Sequence, residues 1–346
     1  MYNTTILNLY KYLLYPLSII YRVLIFIKNF CYDNKLIKTH HLPCSVISVG
    51  NITSGGTGKT PTVLHLCKIL QQKSVNNIGI ISRGYGRNTK GTILVSKGGG
   101  PLRKWESVGD EPFMIAEKTR NIPIVVDSNR YRGGLFLNKH YNTEIIIMDD
   151  GFQHRSLSRD LNIVLINGDT NPSDYKFLPL GYLREPWSSL KRADIIIFTK
   201  KTPKPFLIKK VEKLNISYLN SCLNSFMSFP DEPKKQEIKK LKGEKVILLS
   251  GIGDPKSLET TISNYNCLVK GYKIFRDHYH YNNKNISEII KFAKNKNADY
   301  IITTEKDWVK IKPLKPNFPF IIINIEIDFT EKNSIDKLIE DHLMLN

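Results

Sequence analysis

A glycine-rich segment between a strand-like run and an amphipathic run contains the residues best suited to bind phosphate. Residues 45–49 (SVISV) are mostly β-branched, the glycines follow, and Pro61 begins the helical run. In this order, backbone amides can surround phosphate oxygens, and the helix N-terminus adds positive potential. Lys59 would reach the outer phosphates of a nucleotide, and the Thr60 hydroxyl would bind Mg²⁺. The predicted nucleotide-binding residues are Gly55, Gly56, Thr57, Gly58, Lys59 and Thr60.

The loop departs from the pattern G-x-x-x-x-G-K-[ST] at one position, because Thr53 stands where the first glycine is expected. An ordinary glycine-rich turn is the alternative interpretation. A guanine-specific switch would carry [NT]-K-x-D after a late strand, and neither TKKT at 199–202 nor TEKD at 304–307 fits. ATP is therefore the predicted nucleotide.

A second group of oxygen ligands follows a later strand-like run. Residues 144–150 (EIIIMDD) place Asp149 and Asp150 at the carboxyl end of a buried strand. Metal and water ligands lie there in phosphate-loop proteins. Acids that only cap the strand end are the alternative. We predict that Asp149 and Asp150 help Thr60 to bind Mg²⁺.

The helices and strands that must position these residues are predicted to form an α/β fold with a parallel sheet. Short, continuous apolar runs are typical of strands buried on both faces. In the first part of the chain they lie at 45–49, 78–82, 122–127, 144–150, 162–167 and 194–199, and in the last part at 246–250, 300–304 and 320–325.

A Lys-rich and Pro-rich passage at 230–245 separates the two sets of strands. We therefore predict a phosphate-loop domain over residues 31–235 and a second, smaller α/β domain over residues 236–346. Residues 1–30 form a separate N-terminal segment.

The N-terminal segment is rich in Leu, Ile and Tyr but is interrupted by charges. Between Ile6 and Phe30 the longest charge-free run, residues 12–21, has ten residues, whereas a simple span needs about 18 to 20 apolar residues. Lys11, Arg22 and Lys28 among apolar residues are typical of a helix that lies in the membrane interface. A buried core helix and a signal peptide are the alternatives, although no small-residue cleavage site follows.

Net charge and cysteine content limit the partners and the compartment. The chain has 51 Lys and Arg against 32 Asp and Glu, a formal charge of +19, which indicates an anionic partner or a basic solvated surface. Five cysteines without C-x-x-C spacing favour a reducing compartment. No base-reading motif supports nucleic acid binding.

Seven further segments have no generic explanation: SRGYGR, VGDEPFMIA, DDGFQHRSLSRDL, LPLGYLREPWSSLKRAD, SGIGDP, FRDHYHY and TTEKDWVKI. Together with VGNITSGGTGKTP, and in this order within about residues 49–311, they resemble the tetraacyldisaccharide 4'-kinase (lipid A 4'-kinase) family.

The resemblance implies transfer of the ATP γ-phosphoryl group, with Mg²⁺, to the 4' hydroxyl of an acylated glucosamine disaccharide 1-phosphate. It also implies work at an anionic membrane surface, on the cytoplasmic face of a bacterial inner membrane, without an obligate protein partner. Other expectations remain open: a phosphate-loop kinase or ATPase with another substrate, and a membrane-recruited nucleotide switch.

The resemblance also assigns a catalytic pair. The Asp of G-D-E-P and the His of the late D-H motif would deprotonate the acceptor hydroxyl, which gives Asp110 and His278 here. Asp277 and His280 flank that histidine, so the partner could be displaced by a residue or two. Glu111 resembles a family acid near the metal, and a carboxylate at a helix N-terminus is the alternative.

Four further residues are assigned to substrate by resemblance: Arg83, Tyr85, Gln153 and His154. Other arginines could bind the substrate phosphate but are more simply explained as structural ion pairs: Arg130, Arg132, Arg155, Arg159 and Arg184. The TEKD segment receives no role.

Overall fold

The computed structural model describes residues 2–75, 77–232, 234–331 and 334–343. The helices are α1 (Tyr2–Asp33), α2 (Lys59–Gln72), α3 (Trp105–Val108), α4 (Asp110–Lys118), α5 (Arg130–Tyr141), α6 (Pro205–Glu212), α7 (Pro255–Ser263), α8 (Asn283–Asn295), α9 (Glu305–Ile311) and α10 (Ser334–Leu343). The strands are β1 (Ser45–Asn51), β2 (Ile78–Ser82), β3 (Ile93–Ser96), β4 (Ile124–Val126), β5 (Ile145–Asp149), β6 (Leu161–Asn167), β7 (Ile195–Thr199), β8 (Tyr218–Ser228), β9 (Lys245–Ser250), β10 (Leu268–Ile274), β11 (Tyr300–Thr304) and β12 (Phe320–Phe329).

The chain divides into two compact units. The first, the loop unit, contains Met1–Arg83, Ile122–Leu223 and Ile327–Asn346. The second, the histidine unit, contains Gly84–Asn121 and Asn224–Glu326.

The loop unit is built on a parallel sheet with β1 at its centre. The strands pair in the order β8, β7, β6, β1, β5, β2 and β4. Ile47 on β1, Ile147 on β5 and Val164 on β6 are fully buried, as expected for continuous apolar strands covered on both faces. Val49 pairs with Asp149, so the carboxyl ends of β1 and β5 are neighbours. This pairing confirms the predicted α/β class.

The histidine unit has its own parallel strands, in the order β10, β9, β11 and β12. Burial in β10 alternates between exposed and half-buried positions, which is typical of a strand with one solvated side. The sequence patterns did not predict β3, β8 or β10, because none of the three is a continuous buried run.

The division into units is not a single cut near residue 235. Residues 84–121 belong with 224–326, since α4 packs on α9 and Trp105, Met114 and Val309 form a common apolar cluster. Lys118 and Glu305 add an ion pair between the two helices. Asp110 therefore lies in the same unit as His278.

From Leu14 to Asp33, helix α1 exposes most of its apolar side chains. Leu17, Leu24 and Phe26 are 53%, 59% and 67% exposed, so α1 is not a buried core helix. Its other side faces the rest of the loop unit, where the Ser18 hydroxyl donates to the Phe177 carbonyl and Lys28 Nζ to the Gln153 carbonyl. By length and composition alone, Leu14–Asp33 is long and apolar enough to cross a membrane.

Candidate active site

The predicted phosphate loop connects β1 to α2 in the loop unit. Gly58 precedes the helix with a φ of +86°, a left-handed conformation that glycine adopts without steric cost. Thr57 is fixed from two sides: Asn51 Nδ2 donates to its hydroxyl at 2.8 Å, and the Thr199 hydroxyl donates to its carbonyl at 2.9 Å. Lys59 and Thr60 follow as the first residues of α2. These hydrogen bonds fix the loop conformation at Thr57 independently of a phosphate ligand.

Asp150 stands between two cations of the same unit. Its carboxylate lies 3.5 Å from Lys59 Nζ and accepts two hydrogen bonds from the Arg184 guanidinium, at 2.9 and 3.1 Å. Burial raises the pKa of Asp150, but Lys59 and Arg184 outweigh it and hold the pKa well below its usual range. Asp150 is therefore ionised at neutral pH, as a metal ligand requires.

Asp149 and Thr60 complete the predicted oxygen donors of the loop unit. Asp149 is 1% exposed at the end of β5, and the Ser82 hydroxyl donates to it at 3.0 Å. Among the described residues there is no group of three or more His, Cys, Asp or Glu side chains that could hold a metal ion. Two carboxylates and a hydroxyl nevertheless suit Mg²⁺, which is usually bound by one or two carboxylates, water and substrate phosphates.

Gln153 and His154 follow the paired acids in the loop unit. Gln153 Nε2 donates to the Asn51 carbonyl at 2.6 Å, and His154 Nε2 lies 2.9 Å from the Ser156 hydroxyl. Burial, together with the charges of Arg130, Arg159, Lys28 and Arg83, lowers the pKa of His154 to about 3. The imidazole is therefore neutral at physiological pH, in a strongly positive surrounding.

This buried neutral histidine predicts a pH dependence of stability. Its pKa rises from about 3 in the folded state to about 6.5 when unfolded, so unfolding takes up a proton between those pH values. The unfolding free energy of wild type should fall as pH drops below about 6.5, by up to about 1.4 kcal/mol per pH unit from this group. Denaturant unfolding of wild type and His154→Gln at several pH values measures the difference. The slopes should differ below that pH and agree at pH 8; equal slopes at pH 4 to 6 would contradict it.

Asp110 and His278 are in contact within the histidine unit. His278 Nδ1 lies 2.9 Å from Asp110 Oδ2 and 3.1 Å from Oδ1. Asp110 is the first residue of α4 and is 4% exposed. Burial raises the pKa of Asp110, but the hydrogen bond with His278 and the charges of Lys306 and Lys310 lower it below the ordinary value. The pair thus consists of a buried carboxylate and a half-buried imidazole.

Lys306 defines the tautomer of that imidazole. Its Nζ lies 3.1 Å from His278 Nε2 and 3.2 Å from both Glu111 and Asp277. Because an ammonium can only donate, Nε2 is the unprotonated nitrogen, and Nδ1 carries the hydrogen that points at Asp110. In this tautomer the lone pair of Nε2 accepts from Lys306, so an acceptor hydroxyl must take the place of that ammonium before Nε2 can receive its proton.

The neighbours of His278 occupy other positions. The His280 ring packs edge-on against Trp105 at 4.7 Å, and Asp277 contacts Lys306 rather than orienting the imidazole at hydrogen-bond distance, since its carboxylate is 3.8 Å from Nε2. His278 is thus the histidine that meets Asp110. The Tyr85 ring, 61% exposed, lies 4.8 Å from the His278 ring.

The predicted site residues therefore fall into two groups. Those of the loop unit are Arg83, Asp149, Asp150, Gln153, His154 and the loop from Gly55 to Thr60, and those of the histidine unit are Tyr85, Asp110, Glu111 and His278. Two contacts of these residues were not predicted from the sequence: that of Arg184 with Asp150, and that of Lys306 with His278. Their only signal was membership of the LREPW and TEKD segments.

A phosphate loop at the carboxyl end of a central parallel strand, with an acid at the end of the neighbouring strand, defines an α/β nucleotide-binding protein of the phosphate-loop class. A family model described as Tetraacyldisaccharide-1-P 4'-kinase matches residues 10–344. The chain belongs to the tetraacyldisaccharide 4'-kinase family.

Individual relatives agree over almost the whole length. The tetraacyldisaccharide 4'-kinase of Aquifex aeolicus is 34% identical over 328 residues, 94% of this chain and 97% of that protein. The one from Flavobacterium psychrophilum is 37% identical over 318 residues, 88% of each. The crystal structure of Aquifex aeolicus LpxK in complex with ATP aligns with a TM-score of 0.72 at 31% identity, over 99% of this chain and 100% of that one.

Proposed function

We propose that the protein transfers the γ-phosphoryl group of ATP to the 4' hydroxyl of a tetraacylated glucosamine disaccharide 1-phosphate, a step of lipid A biosynthesis. Within the family match, the observation that carries this proposal is the contact between Asp110 and His278. A phosphate loop alone also serves ATPases and switches, whereas a kinase of an alcohol must remove the proton of its acceptor hydroxyl.

The proposed chemistry uses His278 as the general base. Its Nε2 accepts the proton of the 4' hydroxyl while that oxygen bonds to the γ-phosphorus, and the bond from the γ-phosphorus to the bridging oxygen breaks to leave ADP. Asp110 orients the imidazole through Nδ1 and stabilises the positive charge that develops. No covalent intermediate with the protein is required.

Lys59 and the loop from Gly55 to Thr60 are proposed to bind the ATP phosphates through the ammonium and backbone amides. Thr60, Asp149 and Asp150 are the proposed Mg²⁺ ligands, with Glu111 as a further acid near the metal. Mg²⁺ when bound would neutralise the phosphate oxygens. The substrate is proposed to contact Arg83, Tyr85, Gln153 and His154.

The membrane association of the protein is proposed from α1. Its exposed Leu17, Leu24 and Phe26 side chains would enter the interface of an anionic membrane, and basic side chains would meet lipid phosphates. We propose a monotopic or peripheral placement at the cytoplasmic face of the inner membrane, where an acylated substrate resides. In functional terms, α1 anchors, the loop unit binds ATP, and the histidine unit supplies the base.

Substitutions on α1 should separate membrane binding from chemistry. Leu24→Glu with Phe26→Glu places charges on the exposed face, and we expect about 10-fold or greater loss of binding to anionic vesicles. A matched control is Leu268→Glu, because Leu268 is also exposed, at 47%, but lies on β10. Vesicle flotation measures the difference. Equal binding of both variants would contradict the assignment of α1.

The function itself is tested with γ-labelled ATP, Mg²⁺ and the acylated disaccharide 1-phosphate in detergent. We expect Mg²⁺-dependent label on the 4' hydroxyl, and none without the disaccharide acceptor. ATP hydrolysis that proceeds equally without the acceptor, with no label in the lipid, would replace the proposal with an ATPase or switch. The matched reference is an active preparation of a family relative.

A further inference from the structure

Three sequence segments meet at Asp307, in the histidine unit, and two of them, SGIGDP and TTEKD, have no role in the proposed chemistry. The SGIGDP segment contributes Gly251, whose amide donates to Asp307 Oδ2 at 2.8 Å. The TTEKD segment contributes the Thr304 hydroxyl, 2.9 Å from the same oxygen, and FRDHYHY contributes the Tyr281 hydroxyl, which donates to Oδ1 at 3.1 Å. Asp307 is fully buried. Its carboxylate is therefore fixed by donors from three different parts of the chain.

Lys310 lies one turn further along α9 and connects this carboxylate to Asp110. Its Nζ is 3.1 Å from Asp307 Oδ1 and 3.7 Å from Asp110 Oδ2, and its side chain is 0% exposed. The Tyr281 ring also faces it, with Nζ 5.6 Å from the ring centroid. A single ammonium is thus buried between two carboxylates.

Such an arrangement is costly for stability alone. Removing an ammonium from water costs several kcal/mol, and a well-packed apolar residue commonly stabilises a core as much or more. The contact is also unlike that of Lys306, whose side chain is 16% exposed and which pairs with Glu111 and Asp277. A buried lysine whose Nζ lies 3.7 Å from Asp110 therefore calls for an explanation beyond packing.

The surroundings of Asp110 supply that explanation. Its Oδ1 accepts the backbone amide of Glu111 at 2.9 Å, while both oxygens face Nδ1 of His278. Lys310 attracts Oδ2, the oxygen at the shorter distance from Nδ1. Each oxygen of the Asp110 carboxylate thus contacts a hydrogen-bond donor or a cation. Rotation of the carboxylate away from the imidazole would break at least one of these contacts.

We infer that Lys310 is a positioning residue, held by Asp307, which fixes the Asp110 carboxylate against Nδ1 of His278. This inference rests on the proposed role of the Asp110 and His278 pair as the base of the kinase. The TTEKD and SGIGDP segments then act through the same contact, because Gly251 and Thr304 hold Asp307 and Asp307 holds Lys310.

The kinetic test compares Lys310→Met with Val309→Ala. Met is unbranched and of similar length but uncharged, and Val309 is a buried neighbour on the same helix, 3% exposed, whose truncation perturbs packing alone. We expect Lys310→Met to lower kcat by about 10- to 100-fold with KM for ATP unchanged, and Val309→Ala to stay within about two-fold. An unchanged kcat in Lys310→Met, or an equal loss in Val309→Ala, would overturn the inference.

The single substitution leaves Asp307 without its cation and could prevent folding. The double variant Lys310→Met with Asp307→Asn removes both charges, and the Asn oxygen can still accept the Gly251 amide. We expect this folded variant to show the same loss of kcat. Near-normal kcat in the folded double variant would contradict the inference as directly as in the single variant.

A spectroscopic measurement separates this inference from the proposed function. In ¹⁵N-histidine-labelled protein, the Nδ1 proton of His278 should give a low-field resonance that disappears in His278→Gln. We expect Lys310→Met to shift or broaden it and Val309→Ala to leave it unchanged. Absence of lipid phosphorylation by wild type would refute the proposed function alone, whereas an unchanged resonance in Lys310→Met would refute the positioning role alone.

Discussion

Lys59→Met should abolish phosphoryl transfer, with a loss of about 10³-fold or more in kcat/KM. The ammonium is the proposed neutralising charge for the outer phosphates, and Lys59 is the only Lys or Arg in the sequence from Gly55 to Thr60. The Lys59 Nζ lies 3.5 Å from Asp150. After its removal the Asp150 carboxylate still accepts two hydrogen bonds from Arg184. The folded state should therefore survive, and the loss should appear in activity and in ATP binding.

The matched control is Lys68→Met on the same helix. Lys68 is exposed on α2, so this variant removes the same charge from the same element at a distance from the loop. Labelled-phosphate transfer and equilibrium ATP binding should stay near wild type for Lys68→Met and fall for Lys59→Met. Normal turnover in folded Lys59→Met would exclude the loop as the phosphate site.

The buried strands were the part of the fold that the sequence predicted best. In β1, β5 and β7 every residue or nearly every residue is buried. Continuous runs of β-branched residues predict such strands, because both faces of the strand must then be covered. In contrast, β10 alternates between exposed and half-buried residues. A short alternating run with lysines is too similar to a solvated loop to be recognised from one sequence.

The grouping of residues into units was not predictable from composition. The passage at 230–245 marks a change of composition, but the connection of 84–121 to 224–326 depends on packing of α4 on α9. Val309 and Met114 meet across almost two hundred positions of sequence. Contacts of that separation have no local pattern, and a single sequence offers no covariation to reveal them.

The candidate site shows the same limit at the level of side chains. Lys59, Asp149 and Asp150 were predicted from their places at the ends of β1 and β5, because the chemistry of phosphate loops has a local spacing. Arg184 was only one of several arginines with a possible phosphate role, and its bidentate contact with Asp150 spans 34 positions. The contact of Lys306 with His278 Nε2 likewise has no sequence signature.

His278→Ala should lower kcat by about 10²- to 10⁴-fold with little change in ATP affinity. The imidazole is the proposed proton acceptor, and it lies in the histidine unit, whereas the proposed phosphate ligands belong to the loop unit. Loss of the base should therefore affect the chemical step and leave the binding of ATP intact. Single-turnover transfer and equilibrium ATP binding measure the two quantities separately.

Asp110→Asn should cause a comparable loss, because an amide cannot stabilise the imidazolium as the carboxylate does and can favour the wrong tautomer. If the two residues act as one unit, the double variant will be no slower than the slower single variant. His280→Ala is the matched control, since its ring packs on Trp105, and it should retain near-normal turnover. Additive losses in the double variant would mean that Asp110 and His278 contribute independently, and the proton acceptor would then have to be sought at another residue.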